Sequence, residues 1–172
     1  MTASTGTDQG QPVTSEPRSP AGGWLSLAEQ NAWRAWLTVA LKLPEQLNRD
    51  LQNDHGLALA DYEILVWLSE SVDHEMRMSD LAQRTTSSRS RLSHQIDRME
   101  RDGLVARRPC PSDGRGSLAT LTTKGWSVLI NAAPDHVDSV RRHLVDLLTP
   151  LELEQLGTIC TTIANRLNAT PE

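Results

Sequence analysis

Residues 87–103 read SSRSRLSHQIDRMERDG and concentrate the side chains in this sequence that could do chemistry. Leu92, Ile96 and Met99 recur at helical spacing, which gathers them on one face and turns Ser87, Ser90, Arg91, His94 and Arg98 to the other. Short hydroxyls, guanidinium and imidazole on one helix face match the hydrogen-bonding edges of bases in a major groove, and small residues at the helix start allow close approach. The positive end of the helix dipole there favours phosphate. Arg89 lies nearer the apolar stripe, where it either pairs with an acid or reaches backbone phosphate. A second basic point is Arg115, held between glycines in Asp113-Gly114-Arg115-Gly116. An arginine at such a hairpin tip can enter a narrow minor groove, with Asp113 orienting it.

Net charge at first argues against a polyanionic partner. The chain holds 17 Lys and Arg against 22 Asp and Glu, for a net −5 over 172 residues. Resolved by segment the sign reverses: residues 77–115 carry nine arginines and five acids, giving +4 and leaving −9 on the remainder. Arginine is the side chain best fitted to bidentate contact with phosphate and guanine.

These groups need a scaffold, and the hydrophobic pattern supplies one. Residues 1–23 are mostly Gly, Pro, Ser and Thr and read as a disordered tail. From Trp24 a helical stripe of Trp33, Trp36, Leu37, Ala40, Leu41, Leu47 and Leu51 runs to His55-Gly56, with Pro44 expected to bend it. A second helix is expected at about 60–70 with Ile64, Leu65 and Leu68 inward, and a third opens at Ser79 as N-cap. The fourth spans about 88–102 and stops at Gly103. Leu104–Arg108 and Ser117–Leu121 read as two strands around a turn-rich loop. A long helix follows from Thr123, striped by Trp126, Leu129, Ile130, Ala133, Val137, Val140, Leu144 and Leu147. The last opens with the capping box Thr149-Pro150-Leu151-Glu152 and carries Leu156, Ile159, Ile163 and Leu167 inward.

The fold class expected is mainly α with a small β-hairpin wing: a winged helix-turn-helix plus a helical dimerisation region. Residues 24–172 form one domain, in which 58–121 make the winged helix and 24–54 with 122–168 make the dimerisation helices. One protomer offers too little partner surface for all these stripes, so a homodimer is expected.

In its motifs the chain resembles the MarR family of bacterial transcriptional regulators over roughly residues 27–167. The likeness rests on Met78-Ser79-Asp80-Leu81-Ala82, on Ser88 through Ile96-Asp97-Arg98-Met99-Glu100, on Gly103-Leu104-Val105, on Asp113-Gly114-Arg115, and on Leu121-Thr122-Thr123-Lys124-Gly125. It implies a homodimer that binds a pseudo-palindromic operator in double-stranded DNA, with Ser88, Ser90, Arg91 and His94 facing the major groove and Arg115 the minor groove. Arg91 and His94 stand where many members carry Thr and Arg. It also implies a repressor released by a small aromatic or phenolic effector bound between the dimer helices and the winged helix. Trp33, Trp36, Tyr62 and Trp67 lie near where that crevice should be, and core packing is the competing use for them.

Other classes are excluded by what is missing. No stretch approaches the ~18 apolar residues of a membrane span, and Met1–Gly23 lacks the pattern of a signal peptide, so a cytoplasmic protein is expected. His55, His74, His94, His136 and His143 form no ligand set, Cys110 and Cys160 suggest neither disulfide nor zinc, and no catalytic or cofactor motif stands out. Two alternatives remain: a thiol-based redox sensor using Cys110 beside its basic neighbours, and a winged helix serving as a protein-interaction module without DNA.

Overall fold

The computed structural model describes the backbone of residues 23–110 and 113–169, and their side chains apart from those of residues 113–115. The tail expected over 1–23 lies outside the described residues except for Gly23. The elements run α1 (Leu27–His55), α2 (Leu59–Ser69), a 3-10 turn (Val72–His74), β1 (Glu75–Arg77), α3 (Met78–Arg84), α4 (Arg89–Arg101), β2 (Val105–Cys110), β3 (Asp113–Leu121), α5 (Thr123–His143), a second 3-10 turn (Val145–Leu147) and α6 (Pro150–Asn168). Helices dominate, and the three strands form one antiparallel sheet in the order β1-β3-β2. This is a winged helix-turn-helix.

Contacts divide the chain into two compact units, residues 1–41 and 42–172. In the first unit, α1 starts with a reciprocal cap: the Ser26 backbone N–H donates to the Glu29 carboxylate at 2.7 Å, and the Glu29 N–H donates to Ser26 Oγ at 3.3 Å. The stripe of Trp33, Trp36, Leu37 and Leu41 is exposed.

In the second unit, α1 continues through Pro44 to His55, and Gly56 follows at φ 63°, a left-handed turn that glycine adopts without strain. Asn48 Oδ1 accepts the Leu59 N–H at 3.0 Å and so caps α2 from a distance. The core joins Ile64, Leu65 and Leu68 of α2, Leu81 of α3, Leu92, Ile96 and Met99 of α4, and Val105 of β2, all at most 2% exposed. The α2 and α4 members are the stripes that the periodicity predicted for the second and fourth helices. Ser88 caps α4, its Oγ accepting the Arg91 N–H at 3.3 Å, and Gly103 leaves the helix at φ 73°.

Local readings differ from expectation in several places. Ser79 is not an N-cap: the cap position is Arg77, Ser79 lies inside α3, and its Oγ donates to Asp80 Oδ1 at 2.9 Å. The hairpin strands run further than Leu104–Arg108 and Ser117–Leu121. Pro109 sits beside a register shift on the edge strand of the sheet, a place where proline is tolerated, and β2 extends to Cys110. β1 was not foreseen; its three residues pair with Leu118–Thr120.

The sheet is tied to α5 at one point. Thr122 Oγ donates to the Gly103 and Leu104 carbonyls at 2.7 and 3.0 Å, and Lys124 Nζ donates to the Asp102 carbonyl at 2.6 Å. The face of α5 buried in the unit is Gly125, Leu129, Ala132 and Ser139, while Trp126, Ile130 and Val137 of the expected stripe are exposed. The capping box of α6 forms as expected, but Ile159, Ile163 and Leu167 do not turn into this unit; α6 buries no residue in it.

Candidate nucleic-acid interface

α4 is aimed by the turn that precedes it. Thr86 sits at φ 50°, which costs a β-branched residue about 1–3 kcal/mol. The turn is held by backbone bonds from Thr86 to Gln83 and from Ser87 to Ala82, and by Thr85 Oγ donating to the Leu81 carbonyl. With its apolar stripe buried, α4 presents Ser88, Arg89, Ser90, Arg91, His94 and Arg98 on exposed positions, while Ser87 is half-buried and donates to the Thr85 carbonyl. The Ser88 hydroxyl serves as the helix cap and also lies 3.3 Å from that of Ser90.

The arginines of the +4 segment divide sharply by partner. Arg98 places one nitrogen 2.6 and 2.7 Å from the two carboxylate oxygens of Asp61, to which Gln95 also donates at 2.9 Å. Arg107 reaches back from β2 to α4, pairing with Asp97 and donating to the Ser93 carbonyl at 2.8 Å. Arg108 spans β3 to pair with Glu75, its Nε 2.7 Å from the carboxylate, and this partner pushes the guanidinium pKa up. Arg101 donates to the Asp97 carbonyl, and Arg84 lies over the Trp67 ring at 4.8 Å. Arg77 is also engaged. No hydrogen bond or ion pair among the described residues holds the side chains of Arg89, Arg91 or His94. Among the described residues Arg89 therefore takes no acid partner, the pairing that the sequence left open. The side chains of Asp113 and Arg115 lie outside the described residues, and the backbone of both belongs to β3.

An open cleft of about 550 Å³ lies beside these cations, lined by Arg77, Ser79, Arg89, Ser93, Arg107 and Ser117. It joins the start of α3, α4 and the wing, so an anionic strand laid there would meet the α4 N-terminus and guanidinium groups together. Sequence reasoning did not single out Ser79, Arg107 or Ser117 for this place. The signal was the arginine pair Arg107-Arg108, whose alternation along β2 sends one toward α4 and the other toward β1.

The four aromatic candidates for a ligand site differ in their surroundings within each unit. Tyr62 is buried with its ring 4.4 Å from that of His136, and burial pushes its hydroxyl pKa up. Trp67 is half-buried beside Arg84, at a cleft of about 370 Å³ that Glu63, Thr85 and Thr86 also line. Trp33 and Trp36 belong to the first unit and are exposed.

Among the described residues no group of three or more His, Cys, Asp or Glu could hold a metal, and no helix is long and apolar enough to cross a membrane. Cys110 is buried at the end of β2, and no disulfide forms between it and Cys160. His55 pairs with Asp135 at 2.8 Å and His143 with Asp50 at 3.0 Å.

Comparison with known proteins accords with this architecture. Residues 55–116 match the model of the MarR family. The structure superimposes on AbsC, a MarR family transcriptional regulator from Streptomyces coelicolor, with a TM-score of 0.81 and 52% identity, covering 86% of this chain and 99% of that one. It superimposes on Sco3205, a MarR family regulator from the same organism solved in complex with DNA, with a TM-score of 0.82 and 43% identity, covering 86% and 96%. Among curated relatives, the transcriptional repressor YetL of Bacillus subtilis is 31% identical over 85 residues, 49% of this chain; the chain thus spans 51%, about half, of that repressor's length. These relatives are transcriptional regulators rather than enzymes. The chain belongs to the MarR family of transcriptional regulators.

Proposed function

We propose that this regulator is a homodimeric repressor that binds a pseudo-palindromic site in double-stranded DNA and leaves it when a small aromatic or phenolic ligand binds. The observation that carries DNA binding is the pair Arg89 and Arg91, exposed in the first turn of α4 and unengaged among the described residues, while neighbouring arginines are held by protein partners. Ser87, Ser88, Ser90 and His94 complete the major-groove set, and Asp113 with Arg115 extends it toward the minor groove. The DNA complex of Sco3205 and the description of YetL as a repressor support this reading.

Dimerisation is supported by the exposed apolar residues Trp126, Ile130 and Val137 of α5 and Ile159, Ile163 and Leu167 of α6, since monomeric proteins rarely leave such stretches open to water. For the ligand, Trp33, Trp36, Tyr62 and Trp67 are the aromatic candidates, and Trp67 beside Arg84 offers a ring and a guanidinium suited to an aromatic acid.

Selection of bound duplexes from a random pool tests the central claim. An enriched inverted repeat with half-sites about one helical turn (~34 Å) apart is the expected result. No enriched sequence would leave the winged helix as a protein-interaction module. Light scattering at micromolar concentration checks the dimer, and displacement of the selected duplex by a panel of aromatic acids checks the release.

A further inference from the structure

The sequence sets Arg98 on the same row of α4 as Arg91 and His94, in place to touch DNA. The structure engages it elsewhere. Asp61 is 7% exposed, on the first turn of α2, and accepts from Arg98 at both oxygens and from Gln95 at one. Both donors stand on α4, 34 and 37 residues further along the chain. A nearly buried carboxylate that receives three hydrogen bonds from one neighbouring helix fixes that helix in rotation as well as distance, because the donors leave α4 at positions 95 and 98, nearly one turn apart.

We propose that Asp61 is a positioning and specificity-determining residue: it sets the pitch of α4 and withholds Arg98 from the DNA backbone. This deepens the DNA-binding reading above and rests on it. A guanidinium left loose beside Arg91 and His94 would reach for whatever phosphate is nearest. Phosphate contacts raise affinity for all sequences alike, whereas base contacts discriminate. Engaging Arg98 on α2 thus removes a sequence-blind contact and spends its charge on orienting the side chains that read bases. Gln95 completes the arrangement, since its amide donates to Asp61 Oδ1, the oxygen that also takes one of the two Arg98 contacts, and so ties a second point of α4 to the same carboxylate.

The experiment compares wild type, Asp61→Asn, Arg98→Gln and the double variant, on the duplex that wild type selects from a random pool and on a mixed-sequence duplex of equal length. Asn keeps the shape and an acceptor for Gln95 but loses the charge that holds Arg98. Asp61→Asn should steepen the dependence of log K on log salt for the mixed duplex by about one, the signature of one added phosphate contact. Its preference for the selected duplex should fall at least tenfold. Arg98→Gln should lose preference with no change in salt slope, and the double variant should return the slope to the wild-type value. A shallower slope in Arg98→Gln would mean that wild-type Arg98 already touches phosphate, and would overturn the proposal. So would an unchanged slope and preference in Asp61→Asn with native circular dichroism. Should Asp61→Asn fold poorly, the slope of Arg98→Gln decides alone. Failure of wild type to select any duplex would instead overturn the DNA-binding reading itself.

Discussion

Gly125→Ala isolates the contact where α5 meets the base of the wing. A Cβ built on Gly125 lies 2.1 Å from the Leu104 carbonyl oxygen and 2.8 Å from Leu121 Cδ1. The first neighbour is backbone, so Leu104 or the start of α5 must retreat by about 1 Å before the contact becomes tolerable. That carbonyl accepts from the Thr122 N–H at 3.2 Å and from Thr122 Oγ at 3.0 Å, and both bonds stretch with it. Two weakened hydrogen bonds cost about 2 kcal/mol together, and overpacking adds about 1–3 kcal/mol. The helix propensity of Ala over Gly returns about 1 kcal/mol. The expected net loss is about 2–4 kcal/mol, which for a chain of this size lowers Tm by roughly 5–15 °C. Urea unfolding followed by circular dichroism, at one fixed protein concentration, measures it. A variant within about 0.5 kcal/mol of wild type would show that this approach is not a constraint, and the account of the Leu-Thr-x-x-Gly stretch would fail with it.

Three further outcomes are expected. Arg115→Ala should weaken binding to the selected duplex at least tenfold while the dimer persists, with gel shift and light scattering as the paired checks; unchanged affinity would remove the wing from the interface. His136 lies against Tyr62, and burial holds its imidazole below the usual histidine value, so the folded chain resists a proton that the unfolded chain accepts near about pH 6.5. Its contribution to stability is therefore complete above that pH and declines as pH falls through the window beneath it; His136→Phe should reduce the difference in urea midpoint between about pH 7.5 and 5.5, and an equal difference in both proteins would acquit His136. Cys110→Ser should keep DNA binding and any response to peroxide identical to wild type, because the thiol is buried at the end of β2; a response lost with the thiol would establish the redox-sensing alternative.

What could be read in advance was whatever local order encodes. The stripe Leu92, Ile96 and Met99 fixed the face of α4, and Thr149 with Glu152 marked the start of α6 to the residue. β1 was invisible because Glu75–Arg77 is too short for alternation to register, and its strand state depends on pairing with Leu118–Thr120. The Arg98–Asp61 pair was invisible for a related reason: Asp61 lies on another helix, and helical spacing reports which way a side chain leaves, not what it meets. The stripe on α5 mixed two destinations. Leu129 packs within the unit while Trp126, Ile130 and Val137 stay outside it, and hydrophobicity alone does not distinguish the two.

The bonds from Thr122 and Lys124 to the carbonyls of Asp102, Gly103 and Leu104 make the C-terminal end of α4 and the first turn of α5 a single fulcrum. These bonds join the end of α4 to the start of α5 at one point, so a rotation of α5 that carried α4 with it would act on α4 as on the short arm of a lever. Over its 13 residues α4 extends about 20 Å, and a rocking of about 5° at the fulcrum would sweep its far end through about 1.7 Å. Arg89 and Arg91 sit at that far end. A hydrogen bond does not survive such a displacement, so under the DNA-binding reading proposed above a rotation of that size would break whatever groove contacts both cations make.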